Sequence, residues 1–544
     1  MRKGDKMKNG FAFKLLFGVA ALCVFTLSTT SAAFGTSPTV TTPLGVVIGK
    51  KALGMDEYLG IPYALPPVGE LRWTPPQPYG VFPTEPFVAT EFGNPCVQAA
   101  GGSENCLFLN IFTPSTGGTG LPVMVWFHGG GLIEGSSTAY NPELLVKKGV
   151  IVVTLNYRLG YLGFFAQSAI DAEGHTNGNY GLMDQQLALQ WVQNNIAAFG
   201  GNPAQVTIFG QSAGGQSVYA NLASPTAAGT FSGAISESGS YDEFQPYLND
   251  VIPVAAAETT AGVEAEEDTA VPSGEYIANA VGCGDPATSA CLRAVPATSF
   301  VALQPFPIFP FVDGTVLTQT ITQAFATGSF NKVPVISGTN RDEYDLFVAE
   351  QFDFQGNPLT ESTYPYAVDA LFPAALAPTV LEIYPYNYDA TPDQSLGAAA
   401  TDGGFSCPVW NANQSLSQYV STYAYEFADE NAPPAEADFG GLLTFPLGAY
   451  HAAEIQYLFE GYDIFGLPAS LTTLSATQKR LSTDMVDYWT QFAKTGNPNV
   501  EGKPVWPGYN ASTDLFLQLT EPKPVAISSF KYEHLCSFLW NQIP

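Results

Sequence analysis

One serine stands between two glycines in a stretch that favours a sharp turn. Residues Gly210-Gln211-Ser212-Ala213-Gly214 have the pattern Gly-x-Ser-x-Gly. The run 206–209 before them is β-branched and aromatic, which indicates a buried strand, and residues 213–223 can follow as a helix. A hydroxyl at such a turn projects at the helix N-terminus, and the flanking glycines let the chain pass close by. This context predicts that Ser212 is a nucleophile rather than a loop serine.

A serine hydroxyl needs a base to become nucleophilic, and that base is usually histidine. The chain offers four histidines: His128, His175, His451 and His534. Where the nucleophile lies on a strand-to-helix turn, the chain order is nucleophile, acid, histidine, which leaves only the last two. His451 follows a glycine and is expected to open a helix, so it is the preferred base, with His534 as the alternative.

The acid that holds the histidine should follow a strand between Ser212 and His451. The segment Gly338-Thr-Asn-Arg-Asp-Glu-Tyr comes after an apolar run that starts at Val333. It carries Asp342 and Glu343, and the residues alone do not choose between them. Carboxylates at this place are also favourable simply because they begin a helix.

A triple glycine supplies the remaining chemistry. His128 opens His128-Gly129-Gly130-Gly131 at the end of the apolar run 122–127, so it is interpreted as part of that loop. Gly130, Gly131 and Ala213 could direct three backbone amides at a developing oxyanion, and one such donor typically lowers the barrier by about 3 kcal/mol.

These segments lie far apart in the chain, so the fold must bring them together. Apolar runs alternate with helical patterns, for example at 150–156, 181–199, 333–338, 422–427 and 470–494. The alternation predicts a mostly parallel central sheet with helices on both faces. Residues 255–276 and 352–400 are interpreted as insertions, the latter above the C-terminal strand ends. No repeat or clear linker appears, so residues 34–544 are expected to form a single domain.

Composition and the N-terminus indicate export. The 544 residues carry a net charge of -29, which opposes electrostatic binding to nucleic acid or anionic lipid. A basic start, an apolar run at 15–27 and the small residues Ser31-Ala32-Ala33 predict a secretory signal over 1–33. The run is short for a membrane span, so no integral membrane segment is expected after its removal. The mature protein is expected outside the cell or in the periplasm.

The cysteine count agrees with export. Removal of a signal that contains Cys23 leaves six cysteines: Cys96, Cys106, Cys283, Cys291, Cys407 and Cys536. An even number in an exported chain indicates disulfides, although several pairings are open. There is no Cys-x-x-Cys pattern, so no metal site or cofactor is expected. Asn413 and Asn510 are glycosylation acceptors if the host glycosylates.

Several segments together resemble the type-B carboxylesterase family, which includes the cholinesterases. The stretch 199–214 is similar to the family's long nucleophile signature. Residues 104–114, Glu-Asn-Cys-Leu-Phe-Leu-Asn-Ile-Phe-Thr-Pro, are similar to its second signature, with Asn105 where an acid or glycine is usual. The other similar segments are Asn156-Tyr-Arg-Leu-Gly, Leu182-Met-Asp-Gln, Phe311-Val-Asp-Gly and Trp540-Asn-Gln.

The resemblance implies an α/β-hydrolase fold, with Ser212 as nucleophile, Glu343 as acid and His451 as base. It implies that Gly130, Gly131 and Ala213 form the oxyanion hole. It also implies the disulfides Cys96–Cys106, Cys283–Cys291 and Cys407–Cys536, and a buried structural ion pair between Arg158 and Asp184.

Two departures from the cholinesterases bear on the substrate. Gln211 stands where they carry a glutamate, and only residues 97–105, without an aromatic, separate the first two cysteines. A quaternary ammonium site needs aromatic faces or a carboxylate, so choline esters are poor candidates. Phe306 and Ile308 are candidates for an acyl pocket, with core packing as an equal alternative.

The leading hypothesis is a secreted serine esterase that acts on small neutral carboxylic esters through an acyl-enzyme. The alternatives are a lipase or amidase with the same triad, and a non-catalytic binding or adhesion protein on the same scaffold. The sequence does not indicate an oligomeric state.

Overall fold

The computed structural model describes residues 37–540 except 53, 240–273, 285–286, 304–307, 387–389, 435–438, 466, 468–470 and 472. The predicted signal and most of the predicted insertion at 255–276 lie outside the described residues. The strands, in chain order, are β1 Thr39–Thr42, β2 Gly45–Ile48, β3 Lys50–Ala52, β4 Met55–Pro62, β5 Phe87–Val88, β6 Phe108–Pro114, β7 Leu121–Phe127, β8 Ile151–Leu155, β9 Phe164–Phe165, β10 Gly178–Asn179, β11 Gly201–Gln211, β12 Gly233–Glu237, β13 Val335–Asn340, β14 Thr422–Phe427, β15 Phe516–Leu519 and β16 Val525–Ile527.

A mixed eleven-stranded sheet has the order β16-β15-β14-β13-β12-β11-β7-β8-β6-β4-β3. Its central strands, from β15 through β13 and β11 to β7 and β8, pair in parallel. The pairs at the two margins are antiparallel. Because parallel strands end at the same edge, the segments that follow β7, β11 and β13 meet there.

Alternating side chains of each central strand enter two different cores. Val123, Val125 and Phe127 of β7 belong to one apolar cluster, whereas Met124 and Trp126 belong to the other. Successive strand side chains point to opposite faces, so both faces of this strand are covered. This double burial explains why the central strands appear in the sequence as nearly continuous apolar runs.

Helices pack on both faces of the sheet. The described α-helices, in chain order, are α1 Glu143–Val146, α2 Gly160–Gly163, α3 Ser168–Asp171, α4 Tyr180–Asn195, α5 Ala213–Ala223, α6 Gly274–Ala280, α7 Ser289–Ala294, α8 Ala297–Val301, α9 Ile321–Thr327, α10 Asp345–Val348, α11 Tyr364–Leu371, α12 Ala377–Ile383, α13 Pro392–Thr401, α14 Cys407–Leu416, α15 Ile455–Leu458, α16 Ala476–Thr495 and α17 Phe530–Glu533. A π-helical turn, Asp402–Ser406, joins α13 to α14. In the described part of the chain, none of these helices combines the length and the apolar character that a membrane crossing requires.

Three disulfides are present: Cys96–Cys106, Cys283–Cys291 and Cys407–Cys536. The first two close short loops, and the third connects the start of α14 to the C-terminal segment. These are the pairs that the family resemblance implied.

The two glycosylation candidates differ in accessibility. Asn413 is fully buried within α14, and its Nδ2 lies 3.5 Å from the carbonyl oxygen of Ser337. Asn510 is exposed in a turn after the last long helix. A glycan on Asn413 is therefore incompatible with the folded chain, and Asn510 is the one of the two that an enzyme could reach.

Candidate active site

Ser212 lies between β11 and α5, and its backbone has φ 58° and ψ -127°. A non-glycine residue with positive φ is strained and is held there by its surroundings. A Cβ on Gly210 would lie 2.6 Å from the backbone of Gly214, and a Cβ on Gly214 would lie 2.0 Å from the carbonyl oxygen of Phe127. Only glycine fits at these two positions, so the Gly-x-Ser-x-Gly pattern follows from the crowding around the turn.

The triple-glycine loop packs directly against this turn. A Cβ on Gly129 would lie 3.0 Å from the Cβ of Ser212. Gly130 and Gly131 have φ values of 104° and 58°, which glycine adopts readily. The amide groups of Gly130, Gly131 and Ala213 have no hydrogen-bond acceptor among the described residues. These three amide groups are therefore available as hydrogen-bond donors.

His451 lies beside the same strand end. Its Nε2 is 3.2 Å from Nε2 of Gln211, the residue before Ser212. Its Nδ1 is 2.5 Å from Oε2 of Glu343. The expectation that His451 opens a helix is wrong, because it lies in a turn four residues before α15. The buried imidazole therefore has a carboxylate on one nitrogen and the side chain of Gln211, which precedes Ser212 in the chain, at the other.

Glu343 is fully buried, and donors surround its carboxylate. Oε1 accepts hydrogen bonds from the Thr339 hydroxyl and from the amide of Asn340, both at 2.7 Å. Oε2 is left for His451. The loop after β13 thus fixes the carboxylate, and a fixed carboxylate can orient the imidazole and stabilise its cation.

The neighbouring acid, Asp342, has a different partner. Its Oδ2 accepts a hydrogen bond from the amide of Ala449 at 2.7 Å, and the amide of Asp342 donates to the carbonyl of Ala449. Burial is the main reason that the pKa of Asp342 is raised. Of the two acids that the residues alone left open, Glu343 contacts the histidine, and Asp342 joins the two loops that carry Glu343 and His451.

A further acid and two aromatic rings complete the surroundings. Glu454 is fully buried, and its Oε2 accepts a hydrogen bond from Nδ2 of Asn340 at 2.5 Å. Burial, followed by the nearby charge of Glu343, raises the pKa of Glu454 well above its usual range. Phe347 and Phe405 lie against the imidazole of His451, with ring centroids at 5.0 and 5.2 Å.

The other histidines have partners elsewhere. His128 is buried in the triple-glycine loop and stacks on Tyr157, and burial lowers its pKa to about 4, so it is neutral. His175 is half-buried and contacts Glu173. His534 bonds Asp402 and Glu426. None of these three imidazoles has a hydrogen bond to Glu343 or Gln211 in the described structure.

Three residues were the candidates for the substrate pocket: Gln211, Phe306 and Ile308. Gln211 is buried against His451. Ile308 is buried, and its amide donates to the carbonyl of Gly131, so it lies against the glycine loop. Phe306 lies outside the described residues.

Sequence reasoning missed several members of this site. Thr339 and Asn340 were not singled out, although they immediately precede the loop with both acids. The contacts of Phe347 and Phe405 had no sequence signal, because aromatic residues are equally common in ordinary cores. The ion pair between Arg158 and Asp184 is present as the resemblance implied, with Nη2 and Oδ1 2.7 Å apart and both side chains buried.

A mostly parallel sheet with a strained serine at one strand end, and a carboxylate-bound histidine against the residue before it, defines an α/β-hydrolase. A solved structure of a "PNB esterase" has the same fold, with a TM-score of 0.74 and 31% identity, over 92% of this chain and 100% of that one. The sequence pattern of the Carboxylesterase family matches residues 36–539.

Curated relatives are similar to this chain over most of their length. The human "Cocaine esterase" is 33% identical over 531 residues, covering 89% of this chain and 88% of that protein. The "Para-nitrobenzyl esterase" of Bacillus subtilis (strain 168) is 34% identical over 492 residues, covering 87% and 93%. The chain therefore belongs to the carboxylesterase family and is a carboxylic ester hydrolase.

Proposed function

We propose that this carboxylic ester hydrolase is an exported serine esterase that cleaves small neutral esters through an acyl-enzyme on Ser212. The observation that carries the proposal is the hydrogen bond between His451 Nδ1 and Glu343 Oε2, in a site where the other imidazole nitrogen contacts Gln211, the residue before Ser212. A neutral imidazole in this orientation can accept the hydroxyl proton.

The reaction then has two balanced halves. The Ser212 oxygen attacks the ester carbonyl while His451 takes its proton, and the oxyanion forms near the amides of Gly130, Gly131 and Ala213. Collapse breaks the bond to the alcohol, which leaves with the proton from the imidazolium, and an acyl-serine remains. Water, activated by the same histidine, attacks the acyl group and releases the acid and the serine.

The preference for neutral substrates rests on the character of the buried groups. Gln211 presents an amide beside the histidine. The loop that the Cys96–Cys106 disulfide closes contains no aromatic residue to face a quaternary ammonium. Since one relative is named for p-nitrobenzyl esters, uncharged aryl and benzyl esters are suitable test substrates for this chain.

Export is supported by two features of the chain. The basic start followed by the apolar run 15–27 has the form of a secretory signal. The three disulfides suit an oxidising compartment. N-terminal sequencing of protein recovered outside the producing cells should begin at residue 34, and a product that retains residues 1–33 would contradict cleavage.

The catalytic proposal is tested with a p-nitrophenyl ester and an organophosphate. We expect a burst of p-nitrophenol equal to the enzyme concentration, and phosphorylation of Ser212 detected by mass spectrometry. Ser212→Ala should lose both, whereas Ser217→Ala should keep both, because Ser217 lies on the same helix but bonds Gln185. A Ser212→Ala protein with normal turnover would remove the proposed mechanism.

A further inference from the structure

The side chain of Gln211 is the amide nearest to the proposed base. It is 3% exposed and extends from the last residue of β11. Its Nε2 lies 3.2 Å from His451 Nε2. Its Oε1 lies beside Gly129, where a Cβ would come within 3.2 Å of it. The absence of a side chain at Gly129 thus leaves the room that this amide occupies.

The direction of each hydrogen bond follows from the chemistry of the two imidazole nitrogens. A carboxylate only accepts, so the bond to Glu343 requires that Nδ1 of His451 carries a hydrogen. In the neutral ring, Nε2 then has a free lone pair, and the amide of Gln211 donates to it. If Nε2 were protonated, two N–H groups would face each other across this contact. The observed arrangement therefore favours the neutral ring.

We propose that Gln211 is a positioning residue that keeps the imidazole of His451 neutral in the free enzyme and so sets the lower pH limit of activity. This inference rests on the proposed function, because it acts through the base of that mechanism. Gln211 acts through His451, because it contacts Nε2, the atom that takes the Ser212 proton in the proposed mechanism.

The ionisable groups around the imidazole act in both directions. Glu343 favours the cation through Nδ1. Glu350 interacts electrostatically with His451, which lowers the pKa of Glu350, although burial raises that pKa more strongly. Glu454 is buried, and burial together with the charge of Glu343 raises its pKa, which disfavours a second charge in this region. Gln211 contacts Nε2. Replacing its amide with a carboxylate would therefore favour a protonated Nε2 over a neutral one and leave the other partners of the ring unchanged.

The decisive measurement is kcat/KM against pH, because its acid limb reports the protonation of the base in the free enzyme. In Gln211→Glu, a carboxylate within 4 Å would stabilise the imidazolium, and we expect the acid limb to move up by about 1–3 pH units. In Gln211→Met, the new side chain has a similar length but carries no hydrogen-bond donor. Its acid limb should move in the same direction by roughly 0.4–1 pH unit, which corresponds to the loss of one ordinary hydrogen bond.

Gln193→Glu provides the matched control. Gln193 lies on α4, and its Nε2 donates to the carbonyl of Thr230, so this variant adds the same charge away from the site. Its pH profile should coincide with that of the wild type. Gln211→Met introduces no charge, so it keeps the test valid if Gln211→Glu does not fold.

Failure of this inference differs from failure of the proposed function. Phosphorylation of Ser212 by the organophosphate in each variant would show that the serine mechanism operates. An acid limb that is unchanged, or moves to lower pH, in a folded and phosphorylated Gln211 variant would overturn the positioning role alone. An equal shift in Gln193→Glu would also overturn it, because the cause would then be net charge.

Discussion

Two buried histidines of this enzyme bind carboxylates, yet they are suited to different tasks. His451 has Glu343 on Nδ1 and the neutral amide of Gln211 on Nε2. His534 has Asp402 on Nδ1 at 2.5 Å and Glu426 on Nε2 at 2.8 Å. The group at Nε2 decides what each ring can do. Nε2 of His451 has a lone pair that can accept a proton, whereas the ring of His534 lies between two carboxylates.

The charge state of His534 follows from its partners. The two carboxylates raise its pKa to about 10, against the opposing effect of burial. The same interaction lowers the pKa of Glu426, despite its burial. His534 is therefore an imidazolium at neutral pH, and it links the C-terminal segment to β14 and to the π-helical turn. A ring that keeps its proton at neutral pH cannot act as a base there.

Both clusters share one structural element. The π-helical turn Asp402–Ser406 contributes Asp402 to His534 and Phe405 to the face of His451. Such turns are rare within helices and often occur near functional sites. The carbonyl oxygen of His534 also lies 3.2 Å from Sγ of Cys407, so the ion cluster and the Cys407–Cys536 disulfide support the same junction.

The largest difference between the two histidines should appear in activity. His451→Ala removes the proposed base, and we expect kcat to fall by about 10⁶-fold, as in other serine hydrolases that lose their histidine. His534→Ala should keep nearly full kcat per titrated site. Circular dichroism measures the folded fraction of both variants, active-site titration with an organophosphate counts the sites of His534→Ala, and steady-state kinetics provide the rates. An active His451→Ala enzyme would abolish the distinction.

The His534 cluster should matter for stability rather than for activity. His534→Asn leaves Asp402 and Glu426 buried without a cation, and breaking a buried ion pair in this way costs about 3–5 kcal/mol of unfolding free energy. His175→Asn is the control, because a partly exposed pair with Glu173 contributes only about 0–1 kcal/mol. Urea unfolding at pH 7 measures both variants. Equal losses in the two would show that His534 is not a structural cation.

The smallest effect is the dependence of stability on pH. The folded pKa of His534 is about 10, above the value of 6.5 for a free histidine. The stability from this group is complete below pH 6.5 and is lost as pH rises towards 10, because only the unfolded chain releases the proton in that interval. Wild-type stability should therefore fall relative to His534→Asn by up to about 1.4 kcal/mol per pH unit between pH 7 and 9.5. A constant difference across that range would contradict the assigned charge.

The sequence by itself predicted the strand, the turn and the helix around Ser212. Strand β11, helix α5 and the glycines around Ser212 follow from local preference and from steric limits that belong to a few adjacent residues. The mostly parallel sheet followed from the alternation of apolar runs and helical patterns. Chain order reduced four histidines to two, and residues 338–344 supplied two acids.

Only the tertiary structure shows how the candidates that remained differ in their partners. Asp342 and Glu343 are adjacent in sequence, but the loop directs one at Ala449 and the other at His451. His451 and His534 differ through Gln211 and Glu426, which lie on separate strands of the sheet. The state of a histidine depends on which groups reach its two nitrogens from distant segments, and that information arises only when the chain has packed.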